Sequence, residues 1–130
     1  MASCHAKDPD ILEMQNNPDI AWNQEHMPYS RSAYERGRRE AQADIRSGRL
    51  ILENMGFPRK GEQEFAQILR QRYGVELQRV ASDVVEPTDT GHVFGYNDVS
   101  RPEIERRFGS GVIEKAEAEA AKHYDEQHPK

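Results

Sequence analysis

Apolar side chains in the middle of the chain recur every three or four residues and then alternate with polar ones. The helical spacing predicts a helix between Gly61 and Gly74, because residues so spaced lie on one helix face. Gly74 suits the end of this helix, since glycine adopts the left-handed backbone conformation without a Cβ clash. The alternation from Val75 to Ala81 predicts a strand directly after it. The apolar helix face consists of Phe65, Ile68, Leu69 and Tyr73.

A second strand is predicted for the aromatic and β-branched residues His92 to Tyr96. The pair Asn97–Asp98 then favours a turn, because both side chains hydrogen-bond to nearby backbone groups. Ser100 and Glu103 have the spacing of a capping box, which predicts that a helix begins there. The polar residues 82–91 are predicted to form a long loop between the two strands, either mobile or functional.

A longer helical pattern begins at Ser32, which together with Glu35 has the spacing of another capping box. Apolar and small residues then recur at helical spacing as far as Met55, which predicts one long helix. Glycine destabilises a helix interior, so Ser47–Gly48 is predicted to kink or split it. The recurring positions are Tyr34, Gly37, Ala41, Ile45, Gly48, Leu52 and Met55.

The last helical pattern begins at Val112, shortly after Gly109, the residue predicted to end the preceding helix. Its apolar face is narrow and rich in alanine, so the helix is expected to dock weakly or to pack against a second copy of the chain. A homodimer is therefore one alternative. The face consists of Val112, Ala116, Ala120 and Tyr124, widened by Ile113 and Ala121.

These elements together predict an α+β fold. Three or more helices would pack on one face of a small antiparallel sheet made by residues near 75–85 and 92–97. A third strand would come from the N-terminal segment or from a second subunit, because two strands alone are marginal. The predicted organisation is a loosely structured arm, one compact domain and a frayed tail, at residues 1–29, 30–126 and 127–130 respectively.

Length and charge narrow the classes of function. A chain of 130 residues with 32% charged residues fits one domain with a modest core. The net charge of −5 disfavours a nucleic-acid partner. The single cysteine, Cys4, fits a reducing compartment, and we expect a cytoplasmic protein. No apolar run is long enough to span a bilayer, so no membrane association is expected.

The N-terminal arm is acidic and carries the only tryptophan. Lys7 is its only lysine or arginine, against five acidic residues from Asp8 to Glu25. Tryptophan is enriched among residues that dominate interface energetics, so Trp22, with Tyr29, is a candidate contact for a protein partner. The alternative is that the arm lays its apolar side chains across the main domain.

The face of the long helix that points away from its apolar positions carries several arginines. Arg36, Arg39 and Arg46 are candidates for binding an anion such as phosphate. The alternative is a solvated face with mixed ion pairs, because Glu40 and Asp44 lie among the arginines. No aromatic stacking platform accompanies them.

No established catalytic or metal-binding motif is present, so neither a metal nor a cofactor is expected. His92, Tyr96, Asn97 and Asp98 form the one suggestive group, together with Asp83 and Asp89. A histidine near carboxylates can act as a general acid or base, with the tyrosine or asparagine orienting a substrate. The alternative is structural: a turn, a packed ring and a histidine at a strand edge.

The first function hypothesis is a non-enzymatic interaction protein, an adaptor, inhibitor or regulator that binds another protein. It rests on the small size, the lack of catalytic motifs and the acidic arm with Trp22. One alternative is a small enzyme or small-molecule-binding protein that uses the His92–Asp98 face. Another is binding of phosphate or nucleic acid through the Arg36–Arg49 helix face. The sequence does not decide whether the chain is an enzyme, although the lack of catalytic motifs argues against it.

Overall fold

The computed structural model describes residues 14–129 and shows an α+β fold, as the sequence predicts. The strands are β1 (Ile20–Trp22), β2 (Pro28–Ser30), β3 (Leu50–Met55) and β4 (Val75–Ala81). The helices are α1 (Arg31–Arg46), α2 (Glu62–Ile68), α3 (Pro87–Phe108) and α4 (Val112–Gln127). A π-helical turn, Leu69–Tyr73, continues α2, and residues 14–16 are also helical.

The central sheet consists of β3 and β4, which pair in parallel with Leu50 opposite Val75. Parallel neighbours need a crossover connection, and α2 provides it. The alternate residues Leu50 and Leu52 join a core with Leu69 and with side chains of α3 and α4. Ile51, which lies between these two leucines in the strand, points to the opposite face of the sheet and packs against α1 and α3. The predicted antiparallel pairing of residues 75–85 with 92–97 is therefore wrong.

Residues 92–97 are not a strand, because they lie inside α3. The signal that starts this helix comes earlier: Glu86 and Asp89 form a capping box, with Pro87 in the first turn. The aromatic residues near 92–96 favour strands only weakly, and packing against α1 overrides that propensity. The predicted helix start at Ser100 and Glu103 is also wrong, since both lie inside α3, as does Pro102.

The predicted long helix from Ser32 to Met55 is in fact a helix followed by a strand. Ser30, not Ser32, caps α1, and its hydroxyl accepts from the backbone N–H of Ala33. Beyond Ser47 the chain turns at Gly48, whose φ of 87° glycine adopts readily. Three consecutive apolar residues, 50–52, then enter the core, a pattern typical of a buried parallel strand.

The predicted elements around Gly74 and at the end of the chain are confirmed. Gly74 ends the helical segment with a φ of 67°, and β4 begins at the next residue. Gly109 ends α3, and α4 buries four residues of the apolar face predicted for it, Val112, Ile113, Ala116 and Ala120, whereas Tyr124 is half-buried and Ala121 is exposed. The residues of α2 and its π-turn predicted to face the core also do so, with Leu69 fully buried.

The N-terminal arm forms its own small sheet. β1 and β2 pair antiparallel, with Ala21 opposite Tyr29, and do not join β3 or β4. In the sequence, Asp8–Pro9–Asp10 is a candidate cap for a short helix carrying Ile11, Leu12 and Met14. Most of that helix lies outside the described part of the chain, in which residues 14–16 are helical. The boundaries proposed for the arm, domain and tail stay predictions.

The helices α1 and α3 approach each other more closely than side chains normally allow. Three glycines lie at contacts that leave no room for a Cβ. Gly37 lies against the carbonyl of His92, Gly91 against the backbone of Ser30 and Gly95 against the backbone of Tyr34. A Cβ added at Gly95 would lie less than 3.0 Å from backbone atoms of Tyr34. Because backbone cannot move aside as a flexible side chain can, these positions require glycine.

We therefore expect the Gly95→Ala substitution to destabilise the protein by about 2 kcal/mol, because it forces two helix backbones apart. Helix propensity alone predicts the opposite sign, a gain of up to about 1 kcal/mol. Urea unfolding gives the free energy directly. Gln42→Ala, on the exposed side of α1, is the control and should change stability by less than about 0.5 kcal/mol. A Gly95→Ala protein as stable as the wild type would contradict this packing.

Candidate functional site

His92 lies at the junction of α1, β3 and α3, between two carboxylates. Its Nδ1 is 2.7 Å from Oε1 of Glu53 in β3, and its Nε2 is 2.7 Å from Oε1 of Glu40 in α1. The side chains of His92 and Glu53 are 14% and 6% exposed. The histidine therefore joins three elements, and both of its ring nitrogens are bonded within the protein.

The electrostatics of this group favour a bound proton. Burial alone would lower the pKa of His92, but the hydrogen bonds to Glu40 and Glu53 outweigh it and raise that pKa. Burial is also the main reason that the pKa of Glu53 is raised. A general acid or base needs a nitrogen directed at substrate. His92 presents none, so the arrangement supports attachment of α3 to its neighbours better than catalysis.

Tyr96 follows His92 by one helical turn and is almost fully buried. Its ring stacks on the imidazole with centroids 6.0 Å apart, and its hydroxyl donates to Asp44 of α1 at 2.5 Å. Burial, and then this hydrogen bond, raise the pKa of Tyr96 far above its usual range. Tyr96 is therefore a neutral hydrogen-bond donor, not a base.

Asn97 acts as a substitute for a neighbouring strand. The backbone N–H of Glu53 donates to its Oδ1 at 2.9 Å, and its Nδ2 donates to the Glu53 carbonyl at 2.8 Å. One turn later, the Ser100 hydroxyl donates to the carbonyl of Ile51. Together these residues satisfy backbone groups on the edge of β3 that faces away from β4.

The other acidic residues of the predicted group are not brought together with His92. Asp98 is exposed and accepts from the Tyr34 hydroxyl of α1, which raises the pKa of that tyrosine. Asp89 accepts from the backbone N–H of Glu86 at the start of α3, and Asp83 accepts from the Ser82 hydroxyl. The carboxylates that do meet His92, Glu40 and Glu53, were not among the predicted site residues.

The two residues predicted to contact a partner have different surroundings. The Trp22 side chain lies at the end of β1 and is 44% exposed. Tyr29 packs inward, with its ring centroid 6.0 Å from that of Tyr34 and 5.7 Å from that of Phe94. Tyr29 therefore attaches the β1–β2 hairpin to α1 and α3, and Trp22 remains available to another molecule.

The arginines predicted to bind an anion lie along the exposed face of α1. Arg36 is 3.9 Å from the Glu40 carboxylate, while Arg39 and Arg46 are exposed. Nearby, Arg49 lies 3.5 Å from Asp44. These pairs make the surface mixed in charge, and anion binding there stays a prediction.

The sequence did not indicate a cleft at the carboxyl ends of β3 and β4. It has a volume of about 290 Å³ and is lined by Asn54, Arg59, Phe65, Leu77, Asn97 and Glu117, among others. Arg79 of β4 fixes one rim, since it donates to the Gly56 carbonyl and to Glu62. Burial would raise the pKa of Glu62, but Arg79 outweighs it and lowers that pKa. This location follows only from the parallel pairing of β3 and β4, whereas the sequence predicts an antiparallel sheet.

Two kinds of site are not seen in the described part of the chain. Across residues 14–129 no three His, Cys, Asp or Glu side chains converge as ligands for a metal ion. None of the helices in that range has both the length and the apolar character needed to cross a bilayer. Comparison with models of protein families, with curated proteins and with solved structures gives no match for the chain. Function is therefore inferred from the chain's own side chains.

We expect the stability of the protein to fall as pH rises above neutrality, and His92→Gln to reduce that fall. The raised pKa of His92 means that its stabilisation is complete below the ordinary value of 6.5 and is lost as pH rises through the raised value. Glu53 acts in the same direction at more acidic pH, because the folded state holds its proton longer. Urea unfolding from about pH 6 to about pH 9 measures the effect. His123→Gln, at an exposed histidine of α4, should keep the wild-type slope.

We expect Asn97→Ala to destabilise the protein by about 3 kcal/mol, because it leaves a donor and an acceptor of Glu53 without partners. Asp98→Ala is the matched control, since it removes one exposed hydrogen bond from the adjacent residue and should cost less than about 1 kcal/mol. Denaturant titration of both variants gives the comparison. Equal effects would show that Asn97 does not serve as the edge partner of β3.

Proposed function

We propose that the protein is a non-enzymatic interaction protein that binds another protein through the β1–β2 hairpin. The observation that carries the proposal is the exposure of Trp22, at 44%, on an ordered hairpin. Pro28 lies opposite Trp22 across the hairpin, and the residue before it, Met27, is also exposed, at 40%. Tryptophan can bury a large area in a partner, and a rigid setting reduces the entropy lost on binding.

The hairpin is held in place by its own side chains. Asn23 accepts hydrogen bonds from the backbone N–H groups of Glu25 and Met27 at 3.0 and 2.8 Å, which fixes the turn. At its base, Asp19 accepts from the Ser30 hydroxyl at 2.5 Å and from the Ser32 N–H at 2.8 Å. Mainly through the Ser30 bond, these contacts lower the pKa of Asp19. Trp22 is thus presented by a preorganised element.

The charge of this region indicates the chemistry of the partner. Residues 14–30 contain Asp19 and Glu25 and no lysine or arginine. A complementary surface has an apolar socket for the indole with lysine or arginine on its rim. The proposal includes a cytoplasmic location, which the single cysteine supports. The occupancy of both ring nitrogens of His92 supports its non-enzymatic part.

We expect Trp22→Ala to weaken partner binding at least about tenfold, because it removes the central apolar contact. The immobilised protein would capture the partner from the host lysate, and titration of that partner would give the dissociation constant. Phe57→Ala is the control, since Phe57 is even more exposed, at 70%, but lies outside the hairpin. The partner should be retained by wild type and by Phe57→Ala.

Capture that is unchanged by Trp22→Ala would refute the hairpin as the binding surface. Capture lost equally in Phe57→Ala would show non-specific adsorption to exposed apolar residues. Sedimentation velocity of the purified protein tests for a homodimer. If the chain forms a homodimer, its sedimentation coefficient rises with protein concentration, whereas a chain that binds only another protein sediments as a monomer at every concentration. Secretion of the protein in a cell-fractionation experiment would contradict the cytoplasmic part of the proposal.

A further inference from the structure

We propose that the cleft at the carboxyl ends of β3 and β4 binds an amino acid with an apolar side chain, held by both of its charged groups. This site is separate from the β1–β2 hairpin and does not depend on the function proposed for it. Its volume of about 290 Å³ is near the lower end of the range for small-molecule sites.

The cleft lies where sheets with parallel strands commonly bind ligands. In open sheets with parallel strands, ligands bind outside the carboxyl ends, where the loops that follow the strands diverge. Here Gly56 follows β3 and remains bonded to β4, since its N–H donates to the Ala81 carbonyl at 2.8 Å. Arg79 also ties this loop to Glu62 at the start of α2. The rim is thus held open by hydrogen bonds.

The interior wall is apolar. Leu52 is 3% exposed and belongs to the main core, and the partly buried Phe65 and Leu77 pack against that core. All three line the cleft, together with Val93 of α3. An aliphatic or aromatic side chain can bury its surface against this wall.

The charges at the entrance favour a zwitterion over a simple anion. Lys60 is 2.9 Å from Asp125, and Arg101 is 2.8 Å from Glu114, so each has a partner. Two further charged lining residues are also paired, Glu62 with Arg79 and Glu53 with His92. Within the described residues, the remaining two, Arg59 and Glu117, have no ion-pair partner. A carboxylate suits Arg59 and an ammonium group suits Glu117, whereas a phosphate would meet Glu117 with like charge.

Asn54 supplies an acceptor for the ammonium end. It lines the cleft near the end of β3, and its Oδ1 is buried without a hydrogen bond to any described residue. Buried polar acceptors in proteins nearly always have a partner. Oδ1 has almost no accessible surface, so a donor in the cleft, an ammonium group or a water molecule, would reach it only after the Asn54 side chain turns towards the cleft.

The test uses ¹⁵N-labelled protein and L-leucine, with amide chemical shifts as the readout. L-Leucine should shift amides of the cleft, including those of Asn54 and Phe65, with a dissociation constant on the order of 1 mM or below. N-Acetyl-L-leucine lacks the ammonium group and L-leucinamide lacks the carboxylate. Each should bind about tenfold more weakly than L-leucine, because each loses one charged contact.

Two variants assign the two ends of the ligand. Arg59→Gln should weaken the binding of L-leucine about tenfold and leave the affinity for L-leucinamide unchanged, because the amide does not contact the guanidinium. Glu117→Gln should weaken the binding of L-leucine by a similar factor and leave the affinity for N-acetyl-L-leucine unchanged. Arg70→Gln, at another exposed arginine, is the control and should bind L-leucine like the wild type. Because these residues are exposed, well-dispersed spectra are expected for all three variants.

The proposal is overturned if saturating L-leucine shifts no cleft amide in the wild-type protein. It is also overturned if the two blocked derivatives bind as well as L-leucine, or if Arg59→Gln and Glu117→Gln do not discriminate between them. Inorganic phosphate should produce no shift in the cleft. If phosphate binds in the cleft and Arg59→Gln abolishes that binding, the cleft is a site for a simple anion and the proposal is refuted.

Discussion

The close approach of α1 and α3 is the constraint on which the rest of the structure depends. At Gly91 the backbone of Ser30, the cap of α1, occupies the space that a Cβ would fill, and at Gly95 the backbone of Tyr34 in α1 does so. No layer of large side chains therefore separates the helices there. A shift of α3 by one residue would place Phe94 or Tyr96 at the contact made by Gly95. The glycines therefore fix the position of α3 along α1 and the face that it turns towards β3.

Because α3 is fixed in this way, it occupies the place of a third strand beside β3. The Asn97 side chain offers Glu53 both a donor and an acceptor, as a neighbouring strand would. His92, on the same helix, binds the side chain of Glu53. A two-stranded sheet is marginal alone, so this attachment supplies pairing that the strands lack. Polar residues that resemble a catalytic group thus have a structural explanation.

The sequence predicts correctly those elements whose signals lie within the element itself. Gly74 ends one helix and β4 alternates directly after it, so neither depends on distant residues. Residues 92–96 are different, because they have strand-like composition and become helical through packing against α1. The strand at 50–52 shows the same limit, since a short apolar run fits either structure until its partner Val75 is known. Both errors arise where contacts between distant residues decide the structure.

The same limit applies to the candidate site. His92 and Tyr96 were grouped correctly as neighbours, but Glu53 and Glu40 precede His92 by 39 and 52 residues, and nothing local connects them. Both ring nitrogens of His92 are hydrogen-bonded to carboxylates, so in this arrangement the imidazole presents neither nitrogen to a ligand. Function is therefore expected where the fold leaves groups without partners, at Trp22 on the hairpin and in the cleft beyond β3 and β4.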